Sequence, residues 1–500
     1  MSAASVWEAL AAHARADPAA PFLRRPDGRW LTRGEGATLA LRLAARLAEA
    51  GARPGDIVAL AVAKSPEAFL LGPACWAAGL TLLPTNPDYT AGELAPVLGD
   101  ARPRLVVCDP ARVEEAGVHG ATVLTLDAAG AGTLTEALPE PGEPVAADAE
   151  AAGAILYTSG TTGRPKGAPL SVAGLLANAE VLARAWRFSA RDRLLHMLPI
   201  FHAHGLFVAG NTAFVGGAAT LFEPAFHPDR FFALLGEATV FMAVPTHYGR
   251  LLADPRLTRE ACAHMRLFTS GSAPLSAAAF EAFRARTGHA VLERYGMSET
   301  LMLTSNPYEG ERRAGTVGPP LPGVEVRIRL PDGRPAAPGE AGSVEVRGPS
   351  VFRGYLNAPD KTAAAFTPDG WFITGDIGWF SADGYLTLEG RADDTIITGG
   401  MNVYPREVED ALLAQPDIAE AVVFGLPHPD LGQAVTAAVA PRPGAAPAEP
   451  DIIAAVRTRL AGYKTPKRVL VLPALPRNAM GKVDRKALRT AHRDLYAAAG

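Results

Sequence analysis

Cysteine is scarce in this chain. Its 500 residues hold three, Cys75, Cys108 and Cys262, with neither metal-type nor C-x-x-C spacing. That excludes a disulfide framework and a thiolate metal site, and it predicts reduced, buried thiols in a cytosolic protein. Net charge is scarce too. The 48 Lys and Arg nearly balance the 52 Asp and Glu, for a formal charge of −4, which gives no reason to expect a nucleic-acid or anionic-membrane partner. Any basic site for a nucleotide must then be local. The first residues, Met1-Ser-Ala-Ala-Ser-Val-Trp-Glu8, lack the charged and apolar regions of a signal peptide, so a cytoplasmic location is expected. One run, Leu194 to Phe222, lacks formal charge and is long enough to span a bilayer. It also holds His196, His202, His204, Asn211, Pro199 and several glycines. These suit buried strand and helix segments around a polar site, and a lipid-exposed helix would carry few of them.

The length calls for two or three domains, and about half apolar with a fifth charged is the balance of a soluble globular protein. Residues 1–150 alternate helical and strand patterns. Helices are predicted at Ser5–Ala16, at Leu39–Ala50 (Thr38 as N-cap, Gly51 as stop) and at Pro66–Ala78; strands are predicted at Asp56–Val62, Leu105–Cys108 and Ala121–Thr125. This alternation predicts layered α/β subdomains with parallel sheet. Further on, the strand-like Arg266–Thr269 runs into Ser270-Gly-Ser-Ala-Pro274, and His289–Tyr295 runs into Gly296-Met-Ser-Glu-Thr300. Loops beyond strand ends are where such sheets bind ligands. From about 323 to 390 short strands and Pro/Gly turns predict a β-rich lobe. A polar stretch, Gly390-Arg-Ala-Asp-Asp394, then precedes a small α+β unit. The expected organisation is a large N-terminal domain, 1–392, and a small mobile domain, 393–500.

The chain is organised around Thr158-Ser-Gly-Thr-Thr-Gly-Arg-Pro-Lys-Gly167, which follows the buried apolar run Ala154–Tyr157. Gly160, Gly163 and Gly167 let main-chain N–H groups fold round an anion. Thr158, Ser159, Thr161 and Thr162 add hydroxyl donors, and Lys166 adds charge. A triphosphate requires this combination. The order Pro165-Lys166-Gly167 is not that of a Walker A loop.

This loop resembles the phosphate-binding signature of the adenylate-forming acyl-CoA synthetases, and the later motifs follow that family's order. Tyr295-Gly-Met-Ser-Glu299 resembles its Tyr-Gly-x-Thr-Glu loop, with Ser298 keeping the hydroxyl. The resemblance implies that Glu299 holds Mg²⁺ against the phosphates. Trp371-Phe-Ile-Thr-Gly-Asp376 resembles the element whose carboxylate accepts from the ribose hydroxyls, and Arg391 would add charge beside the nucleotide. Asp393 falls at the family's hinge, and Gly399-Gly400 where the pantetheine arm of CoA lies. Pro476-Arg-Asn-Ala-Met-Gly-Lys482 resembles the catalytic-lysine motif, with acetylation of Lys482 as an implied means of regulation. The resemblance also implies ATP contacts from Gly271, Ser272, Ala273, Glu293, Arg294, Tyr295, Gly296 and Ser298. The implied reaction joins a carboxylic acid to AMP from ATP and then passes the acyl group to CoA. Lys482, His202 and Glu299 would be its catalytic residues.

Leu198-Pro-Ile-Phe-His-Ala-His-Gly205 and the stretches 264–274 and 293–306 resemble malonyl-CoA synthetases. Within them Arg266 opens an otherwise apolar strand. A buried guanidinium needs an anion, and its fork matches the second carboxylate of a small dicarboxylic acid. An internal acid would satisfy it equally. His202, His204, Ser270 and Met297 would complete the acid pocket. Malonate-specific relatives often have Asn between 300 and 304, where this chain has Leu301 and Leu303, which leaves methylmalonate open. Other short-chain or aryl acyl-CoA synthetases, a carrier-protein-loading enzyme, and a nucleotide-binding scaffold or sensor without turnover are the alternatives.

Overall fold

The computed structural model describes residues 3–117, 120–158, 165–399, 401–429, 431–460, 462–478 and 482–497, with the side chain of Asn402 also outside the description. The first helix, Val6–Ala16, is capped by the Ser5 hydroxyl and buries Val6, Trp7, Leu10, Ala11 and Ala14. The helix predicted from Leu39 begins earlier and spans Arg33–Glu49. Thr32 and Glu35 form a reciprocal capping box that fixes the true start, with Thr32 N donating to Glu35 Oε2 at 2.8 Å and Glu35 N to Thr32 Oγ1 at 3.2 Å. Pro66–Ala77 is buried along its whole length, which is why its sequence reads as apolar without periodicity.

Two mainly parallel sheets form the large N-terminal part. In the six-stranded sheet the order is Thr122–Thr125, Leu105–Cys108, Ile57–Ala61, Thr81–Pro84, Ala152–Thr158 and Lys166–Ser171. Only its last pair is antiparallel, with Thr158 opposite Lys166. The eight-stranded sheet runs Leu301–Ser305, Leu292–Met297, Leu267–Ser270, Val240–Ala243, Arg193–His196, Ala219–Phe222, Pro21–Arg24 and Trp30–Thr32. Its interior pairs are parallel, and an antiparallel pair closes each edge. The uncharged run 194–222 resolves into the strand Arg193–His196, a π-helix His204–Asn211, the short helix Thr212–Gly216 and the strand Ala219–Phe222. Among the described residues no helix is long and apolar enough to cross a membrane. The three cysteines are free and buried.

A four-stranded antiparallel sheet, Glu325–Arg329, Gly342–Arg347, Phe372–Phe380 and Leu386–Arg391, forms the β-rich lobe. The turn Ala392–Asp394 links it to a five-stranded C-terminal sheet that begins at Ile396. Helices Pro405–Leu413, Glu449–Arg457 and Arg485–Ala491 accompany that sheet, and it has its own core around Ile396, Val408, Val423 and Val439. This is the expected mixed α/β architecture, with a large N-terminal part and a small C-terminal one.

Candidate active site

The site lies where the carboxyl ends of the two parallel sheets face the β-rich lobe and the C-terminal unit. In the lobe, antiparallel register places Asp376 opposite Arg391. Arg391 Nε meets Asp376 Oδ1 at 3.1 Å, and Nη1 donates to Thr374 O at 2.7 Å. The Tyr295 hydroxyl, from the end of the strand Leu292–Met297, donates to Asp376 Oδ2. Burial raises the Asp376 pKa, and Arg391, Tyr295 and Lys482 oppose that rise. Lys482 therefore stands within electrostatic reach of Asp376 and Arg391, and of His202. Desolvation and then Arg391 lower the lysine's proton affinity, while Asp376 raises it. Asn478 holds its main chain, accepting from Lys482 N at 3.1 Å.

On the other side, Glu299 is buried in the turn after that strand. Its Oε1 accepts from the Tyr355 hydroxyl at 3.1 Å, and the Lys166 ammonium lies over the Tyr355 ring at 5.0 Å. Burial raises Glu299, and Tyr355, Arg391 and Lys166 are among the groups that hold it down. Tyr355 thus joins Lys166 to Glu299. Sequence reasoning missed it, because an isolated Tyr after Arg353-Gly354 carries no local signal. Ser298 sits in the same turn, between Met297 and Glu299. Ser159, Gly160, Thr161, Thr162, Gly163 and Gly400 lie outside the described residues, whereas Thr158 and Lys166 end the two strands that flank that loop. Gly399 donates to Leu431 O at 2.9 Å, and Asp393 is exposed in the turn before the C-terminal sheet.

The third part of the site is a cluster of buried polar groups. The strand Leu267–Ser270 ends at a buried Ser270 whose hydroxyl has no partner among the described residues, and the chain turns through Gly271-Ser272-Ala273. Ser272 holds φ at 68°, uncommon for a residue with a side chain. A Cβ on Gly271 would come within 1.8 Å of Arg294 Nη1, so the guanidinium is laid flat against bare backbone. Arg294 is 4% exposed, and its Nε and Nη2 have no partner among the described residues. His204, first residue of the π-helix, is also buried; its Nδ1 lies 3.2 Å from Ser272 Oγ, and its Nε2 has no partner among the described residues. Burial lowers Arg294 to about 10, and burial together with the Arg294 charge keeps His204 neutral. His202 is lowered to about 4 by burial and then Lys482.

Arg266 is elsewhere. It precedes the strand Leu267–Ser270, at the end away from the loops, where its Nε donates to Asp192 Oδ1 at 2.5 Å and its Nη1 to Trp186 O at 2.8 Å. The rings of Phe188 and Tyr308 flank it at 5.3 and 5.4 Å. The expected contact to a substrate carboxylate is therefore corrected: Arg266 answers an internal acid. Glu293, expected at the nucleotide, accepts from Leu275 N at 3.3 Å and faces Arg406 of the C-terminal unit. Arg406 Nη2 itself donates to Leu275 O at 3.4 Å. Burial raises Glu293 to about 7.

The AMP-binding enzyme family matches residues 10–356, and its C-terminal domain matches residues 407–482. The chain belongs to the AMP-binding enzyme family. Among relatives of this AMP-binding enzyme, the sulfoacetate–CoA ligase of Cupriavidus necator is 36% identical over 96% of each chain. The mitochondrial malonate–CoA ligase of Mus musculus is 38% identical over 83% of this chain and 78% of its own. The crystal structure of ATP-bound MatB from Rhodopseudomonas palustris superimposes with a TM-score of 0.94 at 44% identity, covering 99% of both chains. With such relatives, this AMP-binding enzyme is an AMP-forming acid–CoA ligase that uses ATP and CoA.

Proposed function

We propose that the acid is malonate, or a substituted malonate such as methylmalonate, and that Arg294 holds its distal carboxylate. The observation that carries this reading is the set of buried donors without acceptors. Arg294 offers two N–H sites and His204 one ring nitrogen, all buried and without a partner among the described residues. Buried donors without acceptors are costly, and a second carboxylate supplies the missing acceptors. With Nδ1 of His204 accepting from the Ser272 hydroxyl, Nε2 carries the proton and donates. An unbranched fatty acid would leave all three unsatisfied. Malonate-named relatives favour the same choice.

The rest of the site supplies the adenylation chemistry in this reading. Asp376, an acceptor on both oxygens when ionised, receives the ribose hydroxyls. Lys166 and the loop before it take the phosphates. A carboxylate oxygen of the acid attacks the α-phosphorus, and pyrophosphate leaves with the bonding electrons. Lys482 offsets the charge that develops there. Among the described residues no group of three metal-ligating side chains exists. Mg²⁺ nevertheless fits, because it is commonly held by one or two carboxylates plus substrate phosphates, and Glu299 beside Lys166 is such a carboxylate. When bound, the ion neutralises phosphate charge. Rotation at Asp393 would then withdraw Lys482 and bring Gly399 and Gly400 to line the CoA arm, whose thiolate sulfur attacks the acyl carbon and expels AMP.

A pyrophosphate-release assay over malonate, methylmalonate, sulfoacetate and butyrate tests the reading. Malonate or methylmalonate should have the highest kcat/KM. A preference for butyrate would overturn it, and a preference for sulfoacetate would keep the anion site but change the acid.

A further inference from the structure

Beneath the π-helix lies a buried cation that the adenylation chemistry does not use. Lys64 follows the strand Ile57–Ala61 of the six-stranded sheet. Its Nζ meets His196 Nδ1 at 2.8 Å, His196 O at 2.9 Å and Glu223 O at 2.6 Å, where the strands Arg193–His196 and Ala219–Phe222 of the other sheet end. The Glu223 carboxylate acts on it only through space, being held by Arg230 at 2.9 and 2.7 Å. His196 Nε2 in turn lies 2.8 Å from Gly205 O, the carbonyl that follows His204. A carbonyl only accepts, so Nε2 must donate. Nδ1 and Nζ then share one proton between them, and either placement leaves Nε2 a donor.

We propose that Lys64 and His196 are positioning residues for the acid pocket, a relay that fixes the π-helix carrying His204. Several contacts converge on that role. Phe69 and Phe222 pack on the His196 ring at 5.2 and 5.9 Å, so the imidazole has no freedom to turn. A Cβ on Gly205 would come within 2.0 Å of Pro199 O, so the helix start is wedged between that loop and His196. π-Helical turns are rare and recur at functional sites; a side-chain donor to Gly205 O adds a restraint from outside the helix. A buried ammonium costs several kcal/mol relative to an apolar residue of similar volume, so packing alone does not explain Lys64.

The proposal rests on the reading that the buried groups around His204 take the acid, but its test does not depend on which acid. In the full chain, His196→Gln, His196→Asn and Lys64→Met are assayed by pyrophosphate release with whichever acid of the panel wild type turns over best. Gln places an amide N–H near the position of Nε2 and can reach Gly205 O, whereas the shorter Asn reaches only toward Lys64. The expected result is an acid KM near wild type for Gln. Asn and Lys64→Met should raise it about tenfold, the effect of one lost hydrogen bond, with the KM for ATP unchanged. Equal acid KM for Gln and Asn, or parallel changes in the KM of acid and ATP, would overturn the relay. Should Lys64→Met fail to fold, the Gln and Asn pair still decides. A monocarboxylic acid as the best substrate would defeat the malonate reading and leave this comparison intact.

Discussion

Arg294→Ala is the perturbation most directly tied to the substrate. The guanidinium is 4% exposed, and two of its nitrogens lack partners among the described residues. Burial lowers its pKa to about 10 from the ordinary 12.5. At about 1.36 kcal/mol per unit, burying this guanidinium costs the fold on the order of 3 kcal/mol. This depressed base penalises the fold at every pH below about 10, so the cost is constant across working conditions. A bound carboxylate offsets it. Malonate should therefore raise the melting temperature of wild type more than that of Arg294→Ala. In catalysis, losing a charge-assisted contact costs about 1.5–3 kcal/mol, or roughly one to two decades of kcat/KM for the diacid. Butyrate never makes the contact, so its kcat/KM should hold or rise. Arg294→Lys should rescue partly, since an ammonium does not reproduce the planar fork. The assay is the malonate-to-butyrate ratio of kcat/KM in the three proteins. A parallel fall for both acids would show that Arg294 serves the nucleotide or the fold, and the argument for a dicarboxylate would fail.

Other expectations follow from the same geometry. Lys482→Ala should abolish adenylation yet leave thioester formation from supplied acyl-AMP largely intact; equal loss in both half-reactions would contradict a role confined to the first. Asp393→Pro should let acyl-AMP form and block its transfer to CoA, because proline fixes φ at the turn between the two units; unchanged overall turnover would place the rotation elsewhere. Glu293 is a buried acid raised to about 7. Its folded state keeps a proton that the unfolded chain sheds near 4.5, so its contribution to stability is fully present below 4.5 and is lost as pH rises to 7. Glu293→Gln should therefore gain on wild type over that window, by up to about 3 kcal/mol, and level off above it. Melting curves at pH 5 and pH 8 check this, and an unchanged difference between the two would refute it.

Much of the proposed site could be named from sequence because its parts are local. The strand into the loop at Thr158, the Tyr295–Glu299 turn, Asp376 and Lys482 each announce themselves by residue types at fixed short spacing. Main-chain periodicity alone gave the strands Leu105–Cys108 and Leu267–Ser270 to within one residue. Capping was less visible. The box that starts the second helix involves only Thr32 and Glu35, but the apolar rhythm that stands out begins after them.

The two arginines mark where reading from sequence ends. Both Arg266 and Arg294 are cations beside an apolar strand, and the sequence alone favoured Arg266 for the acid. Tertiary structure separates them. Parallel strands carry their ligands at the carboxyl ends, and Arg266 stands at the opposite end, against Asp192, 74 residues away in the chain. Arg294, the third residue of the strand Leu292–Met297, lies against Gly271 just past the carboxyl end of the neighbouring strand Leu267–Ser270, and it forms no ion pair among the described residues. Tyr355 and Lys64 were equally silent in sequence, for their partners lie far away along the chain. Sequence determined which chemical groups the chain carries and which short motifs it holds, since those depend on neighbours along the backbone. Which buried charge meets an internal acid depends on partners brought together only by sheet order, and the fold alone decided that.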